Sequence, residues 1–491
     1  VRVAGDPEVL ARVPEVLPMP FNAYGRFGEV ALESVAIRNA TVWTSGPRGI
    51  IENGVVVVRE ENIAFVGTSE EYAAWGGSKA GLAEIDARGK HLTPGLIDCH
   101  SHTSLGTANE SGQAVTAEVR IADEVNPDDV NWYRQLAGGL TMVNSLHGSA
   151  NSIGGQNAVL KLRWGTEDAS GMLVTEAAPG IKFALGENPK RGNSGSRSTG
   201  RYPQTRMGVE AQIRERLQAA REYAATPVGE RGRDLELEIL AEVLSGKRLV
   251  HCHAYRQDEI VMLCEVARDF GFRIGTFQHV LEGYKVAEYV REYSGGGSAF
   301  SDWWAFKVEV QDGIPQGPPL MHKVGAVVSY NSDDTELARR MQGEAAKGVK
   351  YGGLAAGEAL TFVTINPAKQ LKVDTLTGSI EAGKRADLAL WSGSPISTAS
   401  RCEATWVEGR RLFDIAEDRL LRQRDAGERK RLLQKALGAS GDRSEEGGGD
   451  AQEEVRRPRG MSVATYVRMV QLGLDPWASR AGECGCGEVH E

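Results

Sequence analysis

Between residues 94 and 370 the chain alternates short β-like runs with helix-like stretches, and this alternation constrains its fold more than any other feature. Candidate strands end near His100, Leu146, Glu176, Gly186, Tyr255, Val280, Trp304 and Asp333. Helical patterns lie between several of them, at 208–225, 235–244, 259–270 and 358–362. Eight strands over such a length predict an α/β fold, a (β/α)8 TIM-type barrel, whose usual size is roughly 250 residues. A doubly wound open sheet is the alternative, but no G-x-G-x-x-G turn follows the first strand.

The flanks differ. Residues 1–33 are punctuated by proline and read as an N-terminal arm. From Ser34 short β-type runs follow one another, separated by turns such as the one at Asn53-Gly54. The same style returns near 378–391 and 404–412. The two pieces, 34–93 and 372–413, predict a small β-sandwich-like domain closed by both ends of a barrel spanning 94–371. Residues 414–491 form a charged extension. Its Gly- and charge-rich stretch 439–460 reads as disordered, and 461–474 as one amphipathic helix. A basic, Gly- and Ser-rich stretch, 190–207, follows the fourth strand and predicts a lid, a substrate loop or a solvated insertion at the barrel mouth.

Composition narrows the function. Of 491 residues 41% are hydrophobic and 25% charged, with a formal charge of -9 and a pI near 5.7. That balance is globular and argues against a nucleic-acid binder, whose footprint is basic. No apolar run is long enough to span a bilayer, so no membrane role is expected. The start has no apolar signal core, which predicts a cytoplasmic protein, although a chain beginning at Val1 leaves room for a removed leader or a preceding domain. A homo-oligomer is left open. Six cysteines are too few for a disulfide framework, and Cys99 and Cys252 read as small buried hydrophobes. Cys484, Cys486 and His490 are a minor metal or redox candidate.

The chemistry is carried by polar residues at strand ends. His100 and His102 lie two apart after the apolar Leu96-Ile97, a spacing that puts both rings on one face of a strand. Lys182 sits in an apolar run where a lysine needs a partner, and His251 and His253 share a face, with His253 nearer the mouth. His279 and Asp333 close two further strands. Any one of these has an ordinary structural explanation; Asp333, for example, could cap a helix. Together, at the C-terminal ends of predicted barrel strands, they point to a metal site.

These motifs resemble those of the metal-dependent amidohydrolase superfamily, and within it the imidazolonepropionase-like amidohydrolases. The resemblance covers about 35–412. It rests on Leu92-Thr-Pro-Gly-Leu-Ile-Asp-Cys-His-Ser-His102, His253-Ala-Tyr255, Gln278-His279, Asn331-Ser-Asp333 and Glu381-Ala-Gly-Lys-Arg-Ala-Asp-Leu388. It implies that His100, His102, His253 and His279 bind one or two divalent ions, zinc foremost, and that Asp333 is the catalytic acid–base. Lys182 matches a carboxylated lysine that bridges two ions in one branch; a mononuclear branch lacks this bridge. The departure is Glu187, where the carboxylated-lysine peptidases tend to carry a second glycine. Tyr255 is similar to a tyrosine that holds a substrate carboxylate. His147, Arg256 and Gln156 are further candidates for the substrate mouth. The implied activity is hydrolysis of a C–N amide bond in a small molecule, a dipeptide or N-acyl amino acid. The alternatives are a cyclic amide or a deaminated heterocycle, and a metal-free scaffold protein.

Overall fold

The structure, a computed structural model, describes residues 16–191, 200–300 and 307–442. Five strands come first: β1 (Val35–Trp43), β2 (Ile50–Arg59), β3 (Asn62–Thr68), β4 (Ala83–Asp86) and β5 (His91–Pro94). The middle contributes β6 (Leu96–Ser101), β7 (Leu140–Ser145), β8 (Ile153–Gln156), β9 (Ala158–Lys161), β10 (Gly180–Ala184), β11 (Leu249–His253), β12 (Ile274–Gln278), β13 (Gly297–Ala299) and β14 (Val328–Tyr330). The last three are β15 (Leu388–Trp391), β16 (Cys402–Val407) and β17 (Arg410–Asp414).

Strands from both ends of the chain join in one eight-stranded sheet, ordered β17-β16-β15-β5-β1-β2-β3, with β4 also paired to β1. The seam is β15 against β5, antiparallel, Leu388 opposite Pro94 and Trp391 opposite His91. Alternating residues of β1, such as Val35, Ile37 and Val42, pack with Val56, Val58, Leu388 and Trp406 in a separate apolar cluster. Burying this face holds the register, because a one-residue slip would expose the whole set.

In the middle, β10 to β14 run parallel in chain order within a six-stranded sheet, and β6 pairs parallel with β7 in a three-stranded one. Every residue of β10, Lys182 included, is buried, as expected of parallel strands covered on both faces. The helix Arg206–Ala225 buries Val209, Ile213, Leu217 and Ala220, one face at helical spacing, and Thr205 caps it by accepting from the Gly208 N–H. The helix Gln257–Phe270 buries Ile260, Leu263, Val266 and Ala267 and ends at Gly271, whose φ of 77° suits a residue without a Cβ.

Two expectations need correction. The strand expected to end at Glu176 does not form. Its place beside β7 and β10 is taken by β9 and β8, each antiparallel to its neighbour, and Val174 only bonds back to Val159. The middle strands are therefore two sheets rather than one regular ring of eight. The seventh strand ends at Ala299, not near Trp304, which lies outside the described residues. The arm and the C-terminal extension are tied together. Tyr24 stacks on Tyr133 at 4.4 Å, and Arg26 donates to Glu417 and to the Leu412 carbonyl. Glu417 lies in a helix, Ile415–Asp442, that takes up the first part of the extension. Beyond it, the expected linker, the helix at 461–474 and the cysteines at 484 and 486 lie outside the described residues. Among the described residues no helix is long and apolar enough to cross a membrane.

Candidate active site

Parallel strands deliver their C-terminal ends to one side of the sheet, and there β6, β10, β11, β12 and the loop after β14 bring together His100, His102, Lys182, His253, His279 and Asp333. His100 Nε2 lies 3.1 Å from His102 Nε2 and 3.4 Å from Lys182 Nζ. Asp333 Oδ1 is 3.2 Å from His100 Nε2 and 3.1 Å from His102 Nε2, and its Oδ2 is 3.4 Å from His279 Nε2. His100, His102 and Asp333 each offer a ligand atom, all within 4.8 Å of one another.

The outward nitrogens are as informative as the inward ones. His102 Nδ1 faces the Leu146 carbonyl at 2.8 Å, His253 Nδ1 faces the Ser149 hydroxyl at 3.0 Å, and His100 Nδ1 faces Gln278 Oε1 at 3.3 Å. The Asn331 amide lies 3.2 Å from His279 Nδ1. Each ring is thus held at Nδ1 and turned so that Nε2 faces the common space, where His253 Nε2 has no hydrogen-bond partner. That is the arrangement of a metal-ligating imidazole, fixed through its other nitrogen.

The backbone beside the cluster departs from the usual conformations. His279 and Asp333 have φ of 56° and 49°, in the left-handed region that non-glycine residues rarely enter. Neighbouring bonds hold these turns. Asp333 N–H donates to the His100 carbonyl at 3.2 Å, joining β6 to the loop after β14. Asp98 accepts from the Ser332 N–H at 3.0 Å and hydroxyl at 2.5 Å, and from the His100 N–H at 3.2 Å. Burial pushes the Asp98 carboxyl up to about 7, with the nearby Asp333 charge adding and those hydrogen bonds opposing.

Burial depresses His253 and His279 far below the usual imidazole range, so both rings are neutral. It also tends to raise the Asp333 carboxyl, but His279, a hydrogen bond from His102 and the Lys182 charge outweigh it and hold the group below its ordinary value. His251 is brought down to about 3 by burial, reinforced by Lys182. It shares a face with His253 one turn of the pleat deeper, against Gly180 and Gly275.

The other candidates divide. Tyr255 is buried with the cluster, its ring edge-on to His253 at 4.3 Å, and Lys307 Nζ lies 4.7 Å from that ring. His147 is bonded through both nitrogens to backbone, the Glu110 N–H at 2.8 Å and the Gly148 carbonyl at 2.9 Å. Gln156 donates to the Ala117 and Glu118 carbonyls, and Arg256 pairs with Asp258 at 3.0 Å on the surface. These three are engaged in holding loops or a helix start. Cys99 and Cys252 are buried free thiols, with Cys99 raised to about 12 by burial. Sequence reasoning missed Asp98, Ser149, Gln278, Ser298 and Asn331. The signal for Asp98, Gln278 and Ser298 was a polar side chain inside an apolar strand, whereas Ser149 and Asn331 lie in loops past strand ends.

A second charged group borders the site. Arg206 reaches Glu187 at 3.1 Å, Glu259 at 3.2 Å and Glu309 at 3.0 Å, while Lys307 lies 3.2 Å from Glu309 and 3.0 Å from Asn188 Oδ1. Glu259 accepts from the Gly186 N–H at 3.0 Å, just past β10. Of the basic stretch 190–207, residues 192–199 lie outside the described ones. Arg201 is bonded to the carbonyls of Ser111, Gln113 and Ala150.

Comparison with known proteins gives a consistent picture. A family model described as the amidohydrolase family matches residues 91–417. Amidohydrolase tasK of Hapsidospora irregularis is 31% identical over 366 residues, 67% of this chain but 37% of tasK, so the chain spans little more than a third of that relative. The imidazolonepropionase of Mesorhizobium japonicum is 23% identical over 391 residues, covering 70% of this chain and 87% of that enzyme. The crystal structure of an amidohydrolase from Thermotoga maritima MSB8 is 30% identical, covers 77% of this chain and 100% of its own, and superposes with a TM-score of 0.70.

Proposed function

The chain belongs to the amidohydrolase family, and from that premise we propose that it is a metal-dependent hydrolase that cleaves a C–N amide bond in a small molecule. The observation that carries this reading is the convergence of buried Nε2 atoms. Four imidazoles are each held at Nδ1 and aimed at one space, together with Lys182 and Asp333. Neutral imidazole nitrogens and a carboxylate are the donor set of zinc and its neighbours.

In this reading His100, His102, His253 and His279 would hold one or two divalent ions, and Lys182, if carboxylated, would be a further ligand. Such an ion, when bound, polarises the scissile carbonyl and lowers the pKa of a bound water toward about 7. Asp333, ionised at neutral pH, accepts a proton from the attacking water at a carboxylate oxygen and delivers it to the leaving nitrogen. Tyr255, buried against His253, orients the substrate. The Asp98–Ser332 and His100–Asp333 bonds join the edges of the parallel strands, consistent with a (β/α)8-type barrel over 94–371 carrying a β-domain assembled from 34–93 and 372–413.

The substrate class proposed is a dipeptide or N-acyl amino acid. Likeness to an imidazolonepropionase over most of that enzyme's length favours a second reading, ring opening of a cyclic amide, which uses the same groups. Metal analysis of the purified chain tests the proposal. At least one zinc, manganese or iron per chain is expected. Chelation should abolish hydrolysis across a panel of dipeptides, N-acyl amino acids and cyclic amides, and added zinc should restore it. A chain that hydrolyses such substrates without any ion would overturn the reading.

A further inference from the structure

On the side away from the common space, His100 and His279 are joined by three buried polar side chains. Gln278 Oε1 lies 3.3 Å from His100 Nδ1 and 2.6 Å from Ser298 Oγ. Ser298 Oγ lies 2.8 Å from one end of the Asn331 amide, whose other end lies 3.2 Å from His279 Nδ1. The chain of contacts crosses β12, β13 and the end of β14, and all five residues are wholly buried, so the hydrogen bonds between them are shielded from water.

A serine hydroxyl carries a single hydrogen. It cannot donate to a Gln278 oxygen and an Asn331 oxygen at once, so one of the two amides must turn its NH2 toward Ser298. Two arrangements then satisfy every link. In the first, Ser298 donates to Gln278 Oε1 and accepts from the Asn331 NH2. Gln278 Oε1 also accepts from His100 Nδ1–H, and the Asn331 oxygen accepts from His279 Nδ1–H. Both rings then have a bare Nε2. In the second, Ser298 donates to the Asn331 oxygen, both amide NH2 groups donate to imidazole Nδ1, and both rings carry their proton on Nε2. A mixed arrangement has Ser298 accept from both amides and turn its own hydrogen to the Cys99 thiol, trading an oxygen acceptor for a weaker sulfur one.

We propose that Ser298, through Gln278 and Asn331, locks the tautomers of His100 and His279 together, so that both rings offer an Nε2 lone pair or neither does. The functional meaning rests on the metal-site reading above, since only the first arrangement leaves both nitrogens able to bind an ion. An ion that engages one ring therefore commits the other. Gln278, Ser298 and Asn331 are positioning residues, acting through the histidines.

The test is the nitrogen NMR of the full chain labelled with 15N-histidine, first metal-free and then with zinc, with signals assigned by single-histidine replacements. His100 and His279 should share one tautomer without metal and both be protonated at Nδ1 with zinc. Ser298→Ala should let the two rings differ and weaken zinc binding, read by chelator competition, by about 10- to 100-fold. Ser298→Thr, which keeps the hydroxyl, should retain the coupling. Opposite tautomers in the unsubstituted chain would overturn the proposal, as would a Ser298→Ala chain with unchanged tautomers and zinc affinity. The spectrum of the unsubstituted chain decides even if a variant fails to fold. Zinc binding with opposite tautomers would sink the coupling and leave the metal site standing; shared tautomers in a chain that binds no divalent ion would do the reverse.

Discussion

Asp333 lies 3.1–3.4 Å from three imidazole nitrogens, and His279, a hydrogen bond from His102 and the Lys182 charge hold its carboxyl below the ordinary value against burial, which suits it to the proton-carrying role proposed above. Asp333→Asn keeps the shape and removes the base. Turnover should fall by about 10²- to 10⁴-fold while most of the bound ion is retained, as measured by kcat beside metal content. Glu259 behaves in the opposite sense. Burial, foremost, raises its carboxyl to about 7, with Glu309 and Asp258 adding to the effect and Arg206 and the Gly186 N–H opposing it. Because the folded chain holds this proton more tightly than the unfolded one, stability should decline as pH rises from about 4.5 to about 7, by up to about 3 kcal/mol. Glu259→Gln should lack that decline in urea titrations across this range; parallel curves for the two proteins would show that Glu259 does not titrate there. The histidines were legible in the sequence because period-two spacing and position at a strand end are local properties. The partners of Gln156 and of His147 Nε2 were not, because Ala117, Glu118 and Glu110 lie on loops distant in sequence.

At the scale of elements, the alternation of strands and helices carried β6, β7 and β10 to β12 well, since each is an apolar run with a polar residue at its end. The third position failed for a physical reason. Met172 to Glu176 has the composition of a strand, but β8 and β9 already occupy both neighbouring edges, and an edge pairs only once. The arm was equally opaque, because its partners, Tyr133, Trp164, the Leu412 carbonyl and the helix Ile415–Asp442, are far away in sequence. Arg26, only 10% exposed at its side chain, makes that connection through Glu417 and the Leu412 carbonyl. Arg26→Ala should loosen arm and helix together, lowering stability by about 1–3 kcal/mol and speeding amide exchange in residues 19–30 and in the first turns of that helix. Exchange rising in the arm alone would show that the helix does not depend on it.

For the whole molecule, the contact between the middle strands and the composite sheet includes a buried polar group. Lys161, at the end of β9, is paired with Asp387, just before β15; Thr377 and the Glu408 N–H complete the carboxylate's partners. Both charges are buried. Lys161→Ala would leave Asp387 buried without its cation, and a loss of about 3–5 kcal/mol is expected, read from the urea midpoint. If the two regions are coupled through this pair, sheet and barrel signals should still melt in one transition in the unsubstituted chain. None of this was visible in the sequence, where Lys161 looks like any residue at the end of an apolar run.

The seam between β5 and β15 also has a consequence in time. During synthesis the N-terminal strands emerge first, yet the partner that covers the open edge of β5 is made only after every barrel strand. Until then the growing chain carries an unpaired strand edge, the kind of surface that recruits foreign strands. A ribosome stalled anywhere between β6 and β14 would thus display a half-built sheet, and release from that exposed state waits on the translation of β15.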